Sequence, residues 1–357
     1  MTYQDFREKI KNLQKYPGTV AIDRCPLVTP GFPGAFNMSF GEDPILKEFG
    51  KYQFFDHDAA FSTIQQVIRH NDVFGGVKIQ PEKYLGLFEM ADIFGLIMLK
   101  ENVDFKDLQE KQVRATIKLL TDLGIQKSDI YPRYCSGGSV KKLTNGKYSF
   151  DFEIPEDVLT LNSLIETGIP KANIIRDYSR DTLLALNLAS GNIAWGYRTE
   201  IEVKSNDRLV DVAAIELFLW DPLFNEGGQI TGLKDISYTL ALTVTGVERL
   251  YMVAHGLPDV REIDHIEKLY NFVKDEGDVD VEYLRTLHAI MADKEEFGFE
   301  LGKHRRVYMN RMVRDINVPK EKIRNLLAMN VELQPWHPEL QNGVESTMAY
   351  INLQRTR

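Results

Sequence analysis

The sequence has little cysteine, few histidines and no long apolar run. Cys25 and Cys135 are too few for a disulfide framework or a thiolate zinc site. The seven histidines show no metal-ligand spacing, so no histidine-based metal site, and in particular no zinc site, is expected. No uncharged apolar window reaches the about 18 residues of a membrane span, and the charged segment 1–18 lacks the apolar core of a signal peptide. We therefore expect a cytoplasmic protein that does not enter the membrane.

The phosphate-cradling loops of common nucleotide-binding folds are also absent, since neither GxGxxG nor GxxxxGKS occurs. A nucleotide would have to be held in another way. The net charge of -9 argues against non-specific nucleic-acid binding by the whole surface, because phosphate attraction needs a cationic footprint.

One segment has the opposite charge. Between residues 303 and 324 there are eight Lys and Arg residues against two acidic ones, which predicts a local patch for an anionic partner. The alternative is an ordinary solvated helix face. The candidate acceptor-binding residues in this patch are Arg305, Arg306, Arg311 and Arg314.

The pattern of strands and helices predicts an α+β fold followed by a mainly helical region. β-branched and aromatic segments predict strands at 51–57, 83–95, 147–154, 197–205, 212–220 and 236–246. Apolar spacing predicts helices at 3–16, 58–69, 104–123 and 155–166, and further helices at 247–256, 262–277, 280–297, 301–316 and 319–334. We expect one domain over 1–250 and a helical domain over 251–357.

Charged residues recur on strands that are otherwise apolar. Charged groups on a sheet are costly unless they are exposed, paired or used on a ligand. Arginine binds phosphate through two parallel hydrogen bonds, and carboxylates bind Mg²⁺. This pattern therefore predicts a charged cleft for a polyphosphate with magnesium. Structural ion pairs on a half-exposed sheet are the alternative. The residues are Arg69, Lys83, Glu89, Arg198, Glu200, Glu216, Glu248 and Arg249.

Five short segments occur in the order found in alanyl-tRNA synthetases, and the chain resembles the catalytic half of that family. The segments are His70-Asn71-Asp72, Phe88-Glu89-Met90 with Phe94, Gly196 with Thr199-Glu200-Ile201, Glu216, and Gly246-Val247-Glu248-Arg249. Residues 284–316 look like the start of the family's helical tRNA-recognition region. The resemblance implies the class II synthetase fold, a six- or seven-stranded antiparallel sheet with ATP bound over it.

The resemblance also implies roles for particular residues. Arg249 takes the place of the motif 3 arginine that grips the ATP γ-phosphate. Lys83 stands where the motif 2 arginine is expected, and lysine lacks the planar guanidinium group that makes two hydrogen bonds to phosphate. Arg198 or Arg69 is in a position to compensate for this loss. The candidate catalytic residues are thus Lys83, Arg249 and Arg69, and the candidate ATP and Mg²⁺ ligands are Phe88, Glu89, Arg198, Glu200, Glu216 and Glu248.

The amino-acid pocket departs further from the family. Ala189 stands where a tryptophan would enclose the substrate methyl group, and Leu219 and Leu242 replace polar residues. An ammonium group buried there without partners would cost several kcal/mol. Ordinary alanine is therefore a doubtful substrate. The candidate acyl pocket comprises Ala189, Trp195, Leu219, Leu242 and Val244.

Two functions of different classes are compatible with this pattern. The first is ATP-dependent activation of an amino acid or another small carboxylate as an acyl-adenylate, with transfer to tRNA or to another acceptor such as a carrier protein. The second is a non-catalytic synthetase paralogue that acts as a binding or regulatory subunit. The retained Arg249 and Glu89 favour the enzyme, and the replaced motif 2 arginine favours the paralogue.

Overall fold

The structure of the protein is a computed structural model. It describes residues 1–12, 18–21, 24, 26–28, 59–68, 84–139, 153–178, 182–187, 193–227, 230–274 and 278–356. The strand predicted at 51–57 lies outside these residues, as do most of the strand predicted at 147–154 and the segment His70-Asn71-Asp72.

A large sheet forms the first part of the chain. Its strands are β1 (Val20–Ala21), β2 (Ala59–Ile68), β3 (Leu87–Leu99), β4 (Ile130–Cys135), β7 (Ile175–Asp177), β8 (Leu183–Asn187), β9 (Ile193–Ser205), β10 (Arg208–Phe224) and β11 (Ile230–Gly246). A separate two-stranded sheet pairs β5 (Gly138–Ser139) with β6 (Glu153–Ile154).

The spatial order of the large sheet is β1-β2-β3-β11-β10-β9-β4-β7, with β8 also paired to β9. The pairings among β2, β3, β11, β10, β9, β8 and β4 are antiparallel. The outermost pairs, β1 with β2 and β4 with β7, are parallel. The large, mainly antiparallel sheet is confirmed, and it is wider than the six or seven strands that the resemblance implied.

Nine α-helices lie in the described part of the chain. They are α1 (Tyr3–Lys11), α2 (Phe105–Asp122), α3 (Val158–Glu166), α4 (Val247–Ala254), α5 (Asp264–Phe272), α6 (Asp278–Phe297), α7 (Lys303–Asp315), α8 (Lys320–Leu333) and α9 (Leu340–Arg355). The change from strands to helices at residue 247 is confirmed, and so is the α+β fold class with a helical region after the sheet. The domain boundary near residue 250 stays a prediction.

One prediction was wrong. Residues 58–69 were expected to form a helix, but 59–68 form strand β2, which pairs with β3 on one side and β1 on the other. The segment contains Thr63 and Val67, whose β-branched side chains suit a strand, and tertiary pairing outweighed the apolar spacing. The predicted helix at 104–123 is confirmed within two residues by α2.

Local sequence explains why α1 forms and where it packs. Thr2 and Asp5 make a capping box at its start, which satisfies main-chain N–H groups that have no partner within the helix. Tyr3, Phe6 and Ile10 recur at helical spacing and are buried against the sheet and α4. The first helix is therefore an integral part of the core.

Two apolar cores lie on the helical side of the structure. One joins α1, α2 and α4 to the inward side chains of the central strands, such as Ile201, Ile215 and Ala91. The other joins the helices after residue 264 to Ile68 and Leu87 at the ends of β2 and β3. The C-terminal helices thus share a core with the edge of the sheet. Among the described residues, no helix is both long and apolar enough to cross a membrane.

Candidate functional site

The two faces of the sheet differ in polarity. Side chains alternate between the faces of a strand, and the register aligns Arg198 with Glu216 and Glu200 with Ala214. Asp211 pairs with Glu202, two residues beyond Glu200, so it belongs to the same face. We call this surface, carrying Arg198, Glu200, Asp211 and Glu216, the polar face. The opposite face packs against α1, α2 and α4.

At the centre of the polar face, one arginine lies between two glutamates. Nη2 of Arg198 is 3.2 Å from Oε1 of Glu200, and its Nε is 3.8 Å from Oε1 of Glu216. Burial and the neighbouring Glu200 raise the pKa of Glu216 to about 7, against the opposing effect of Arg198. A carboxyl group with this pKa is poised to gain or lose a proton, or a bound cation, near neutral pH.

Arg249 lies at the end of the polar face that is formed by β10 and β11. It forms an ion pair with Asp211, and its guanidinium carbon lies 5.1 Å from the ring centre of Tyr84 and 5.9 Å from that of Phe88. The Tyr84 hydroxyl donates to Oδ1 of Asp211 at 2.8 Å. Burial would raise the pKa of Asp211, but Arg249 and the Tyr84 hydroxyl hold it below its usual value.

Glu89 lies on the opposite, helix-covered face. It is 2 % exposed, its two carboxylate oxygens accept from Nε of Arg7 at 2.8 and 2.9 Å, and Oε2 accepts from the Tyr3 hydroxyl at 3.0 Å. Nε2 of His337 lies 3.2 Å from its Oε1. Burial would raise the pKa of Glu89, but His337 and Arg7 lower it to about 2. Glu89 is therefore an ionised carboxylate inside the core.

Glu248 joins the same buried group. Its two carboxylate oxygens lie 3.0 and 2.9 Å from the main-chain nitrogen of Glu89, which donates to them. Burial and the charge of Glu89 raise its pKa well above the usual value of a carboxyl group, which favours its protonated form. We call Tyr3, Arg7, Glu89, Glu248 and His337 the buried carboxylate cluster. It connects α1, β3, α4 and the turn before α9.

The structure therefore separates the candidate residues. Arg198, Glu200, Glu216 and Arg249, with Phe88 beside Arg249, share the polar face. Glu89 and Glu248 lie in the buried carboxylate cluster. Lys83, Arg69 and Ala189 are outside the described residues.

The acyl-pocket residues are divided in the same way. Leu242 pairs with Glu216 across the ladder and Val244 with Ala214, which places both on the polar face. Trp195 is fully buried among Cys135, Tyr197 and other apolar side chains, in a separate cluster against which Leu219 also packs.

Asp211 and Tyr84 were missed by sequence reasoning. Asp211 is the fourth residue of β10, close to the turn at residues 206–207, where an aspartate is common, and Tyr84 reads as an ordinary strand aromatic. Only the antiparallel register brings both to Arg249. Asp92 was missed too: its Oδ1 accepts from the main chain of Phe94 at 3.1 Å, and burial raises its pKa well above the usual value.

The basic segment forms helix α7 and the first five residues of α8. Arg306, Arg311 and Arg314 are exposed and Arg305 is half-buried, while Met309 and Met312 face the helical core. Arg311 approaches Asp315 at 3.9 Å. The helix thus presents a row of cations away from the core.

A cavity of about 860 Å³ lies on the helix-covered side, between α1, the β2–β3 pair and residues 336–342. Arg7, Lys11 and Arg24 line it together with Glu296 and Glu339, so its charges are largely balanced. Among the described residues, no three His, Cys, Asp or Glu side chains are grouped in a way that could hold a metal ion on their own.

No protein-family model matches the chain, and no curated protein matches it in sequence. Among solved structures, the fold is similar to that of apo histidyl-tRNA synthetase from S. aureus, with a TM-score of 0.39 and 10 % identity over 77 % of this chain and 75 % of that one.

Proposed function

We propose that the polar face binds ATP and a small carboxylate and joins them as an acyl-adenylate, as in the class II aminoacyl-tRNA synthetases that the sequence resembles. The observation that carries the proposal is the position of Arg249. It is the third residue after β11, which pairs with β3 from Tyr238 to Gly246, and its side chain reaches the aromatic rings of Tyr84 and Phe88. The two resembling segments, FEM and GVER, thus meet in space at a cationic group.

In this proposal, the arginines of the polar face bind phosphate. A guanidinium group offers two parallel hydrogen bonds to phosphate oxygens, and Arg249 would exchange its pairing with Asp211 for a γ-phosphate while it remains stacked on Tyr84. Arg198 is another cation of this face. Lys83 and Arg69 remain candidates for the α-phosphate on the basis of the resemblance.

The carboxyl pair of the polar face suits magnesium. Glu216 shares Arg198 with Glu200, and its raised pKa means that the ionised form lacks sufficient positive charge nearby. Mg²⁺ is usually bound by one or two carboxylates with phosphate oxygens and water, so these two groups fit it. When bound, Mg²⁺ neutralises charge on the transferred phosphates.

Chemistry at this site would consist mainly of positioning and charge stabilisation. A carboxylate oxygen of the substrate bonds to the α-phosphorus while the bond from that phosphorus to pyrophosphate breaks. Leu242 and Val244 supply an apolar wall, which favours a small carboxylate with an apolar side chain. The product would pass to tRNA or to a carrier protein, and the cations of α7 favour a phosphate-bearing acceptor.

A non-catalytic paralogue is the second candidate, and one observation favours it. Arg249 is already neutralised by Asp211 and enclosed by two rings, so the site is stable as a structural ion pair without any nucleotide. In this second proposal the fold serves to bind a partner, and the polar face catalyses no reaction.

ATP–pyrophosphate exchange with Mg²⁺ and a panel of small carboxylates separates the two. One acid should stimulate exchange, and Arg249→Ala should reduce that exchange roughly 100-fold, the usual effect of losing one charge-stabilising group. Arg176→Ala removes an exposed ion-paired arginine on β7 and serves as the matched control, with activity unchanged. Full activity of Arg249→Ala would remove Arg249 from the site. No exchange with any acid would favour the paralogue.

A further inference from the structure

The two ends of the connection between β2 and β3 are held by the C-terminal helices. Ile68, the last residue of β2, and Leu87, the first of β3, are buried in one cluster with Leu284 and Leu287 of α6. Lys83 belongs to this connection. A shift of α6 would therefore be felt at the point where the chain enters β3.

A single carboxylate reinforces this contact. Oε2 of Glu282, on α6, accepts from the main-chain nitrogens of Gly86 at 2.6 Å and Leu87 at 3.4 Å. Its Oε1 accepts from Nη1 of Arg285 at 2.8 Å and from the Tyr270 hydroxyl at 3.2 Å. The carboxylate is thus fixed from both sides, since Arg285 is 1 % exposed and cannot turn to solvent.

The fixed residues adjoin the phosphate-binding candidate. Tyr84 is two residues before Gly86, its hydroxyl holds Asp211 at 2.8 Å, and its ring lies under Arg249. Two residues of chain span at most about 7 Å, so the position of Gly86 restricts where the Tyr84 ring can lie. The contacts form a continuous path from α6 to Arg249.

We propose that Glu282 is a positioning residue for Arg249, through which the C-terminal helices set the affinity of the polar face for ATP. The proposal rests on the proposed function, because it names what orders the phosphate-binding arginine. Glu282 does not touch the substrate. It fixes the start of β3 and thereby the position of Tyr84. Tyr84 and Asp211 together orient the guanidinium group of Arg249. The C-terminal helices, which include the basic α7, are thereby coupled to nucleotide binding.

The variant that isolates this role is Glu282→Asp. Aspartate keeps the negative charge beside Arg285, but it is one methylene shorter and withdraws from the Gly86 nitrogen. The KM for ATP in pyrophosphate exchange should rise roughly tenfold, the effect of losing a hydrogen bond to a charged group, with kcat within about twofold. Glu282→Gln keeps the reach to Gly86, so its KM should lie nearer to wild type. Glu267→Asp on α5 is the exposed control.

A fall in kcat at unchanged KM would indicate only a smaller folded fraction and would overturn the proposal, as would equal KM values for Glu282→Asp and Glu282→Gln. If Glu282→Asp does not fold, Tyr270→Phe replaces it, because that change removes one donor to the carboxylate and should raise KM by about twofold. An unchanged KM in Tyr270→Phe would then count against the proposal.

Hydrogen exchange separates failure of this inference from failure of the proposed function. If the wild-type protein shows no pyrophosphate exchange, the proposed function fails, and amide exchange in Glu282→Asp decides the positioning role. Faster exchange in both 84–88 and 247–252 would support it. Faster exchange confined to 278–297 would overturn it.

Discussion

The replacement His337→Gln tests the buried carboxylate cluster. The histidine lies between two carboxylates, with Nδ1 2.9 Å from Oε1 of Glu339 and Nε2 3.2 Å from Oε1 of Glu89. Burial would lower its pKa, but the two glutamates raise it from 6.5 to about 8. At about 1.4 kcal/mol per pKa unit, the charged histidine contributes about 2 kcal/mol to the free energy of unfolding. The lowered pKa of Glu89 reflects partly the same contact, so the two effects are not added.

The direction of the pH dependence follows from the sign of the shift. A group whose pKa is higher in the folded state stabilises fully below its unfolded pKa of about 6.5 and loses that contribution as pH rises through about 8. Glutamine cannot be charged. The difference in unfolding free energy between wild type and His337→Gln should therefore shrink by about 2 kcal/mol between pH 6 and pH 9.

Urea unfolding followed by far-ultraviolet circular dichroism is the suitable assay, because Trp336 adjoins the changed residue and would distort a fluorescence signal. His304→Gln, on the exposed start of α7, is the control and should change the unfolding free energy by less than about 0.5 kcal/mol at either pH. A difference for His337→Gln that stays constant from pH 6 to pH 9 would refute the reasoning.

Two further substitutions test other parts of the fold. A side chain at Gly196 would overlap the carbonyl oxygen of Leu217, so Gly196→Ala should lower the unfolding free energy measured in urea by at least about 2 kcal/mol. Gly227→Ala, in the exposed turn, is the control and should not lower it. Equal urea midpoints for the two variants would contradict the prediction. Burial raises the pKa of Asp157, the cap of α3, to about 6, while its bonds to Thr160 lower it. Between pH 3.5 and pH 8, the unfolding free energy of Asp157→Asn should rise by about 3 kcal/mol relative to that of wild type in the same assay, because the ionised carboxylate of wild type is disfavoured in the folded state. No such rise would exclude a buried neutral carboxyl group.

Apolar periodicity was sufficient to predict the helices and strands whose local sequence signals agree with their packing. Helix α2 begins at an aspartate cap and places Leu108, Val113, Ile117 and Leu120 on one buried face, so spacing alone predicted it. Strand β2 has mixed spacing and is a strand because β3 and β1 pair with it, which no local pattern reveals. Helix α9 was not predicted.

The candidate site could be predicted only in part for a related reason. Arg249, Arg198 and Glu216 stood out as charged residues beside apolar strands, and the register does bring them to one face. Glu89 stood out equally, but the alternation of β3 turns it to the other face. Asp211 and Tyr84 needed the register of three strands before their relation to Arg249 was visible.

The buried carboxylate cluster has a consequence for synthesis on the ribosome. Its members come from residues 3, 7, 89, 248 and 337, so the emerging chain contains Arg7 and Glu89 long before His337 is translated. Contacts between residues so far apart form late and are slow to form, because the loop they close must first be ordered. Until the turn before α9 has left the exit tunnel, Glu89 lacks the imidazolium beside it. The nascent protein therefore completes the core under α1 only after residue 337 has been translated.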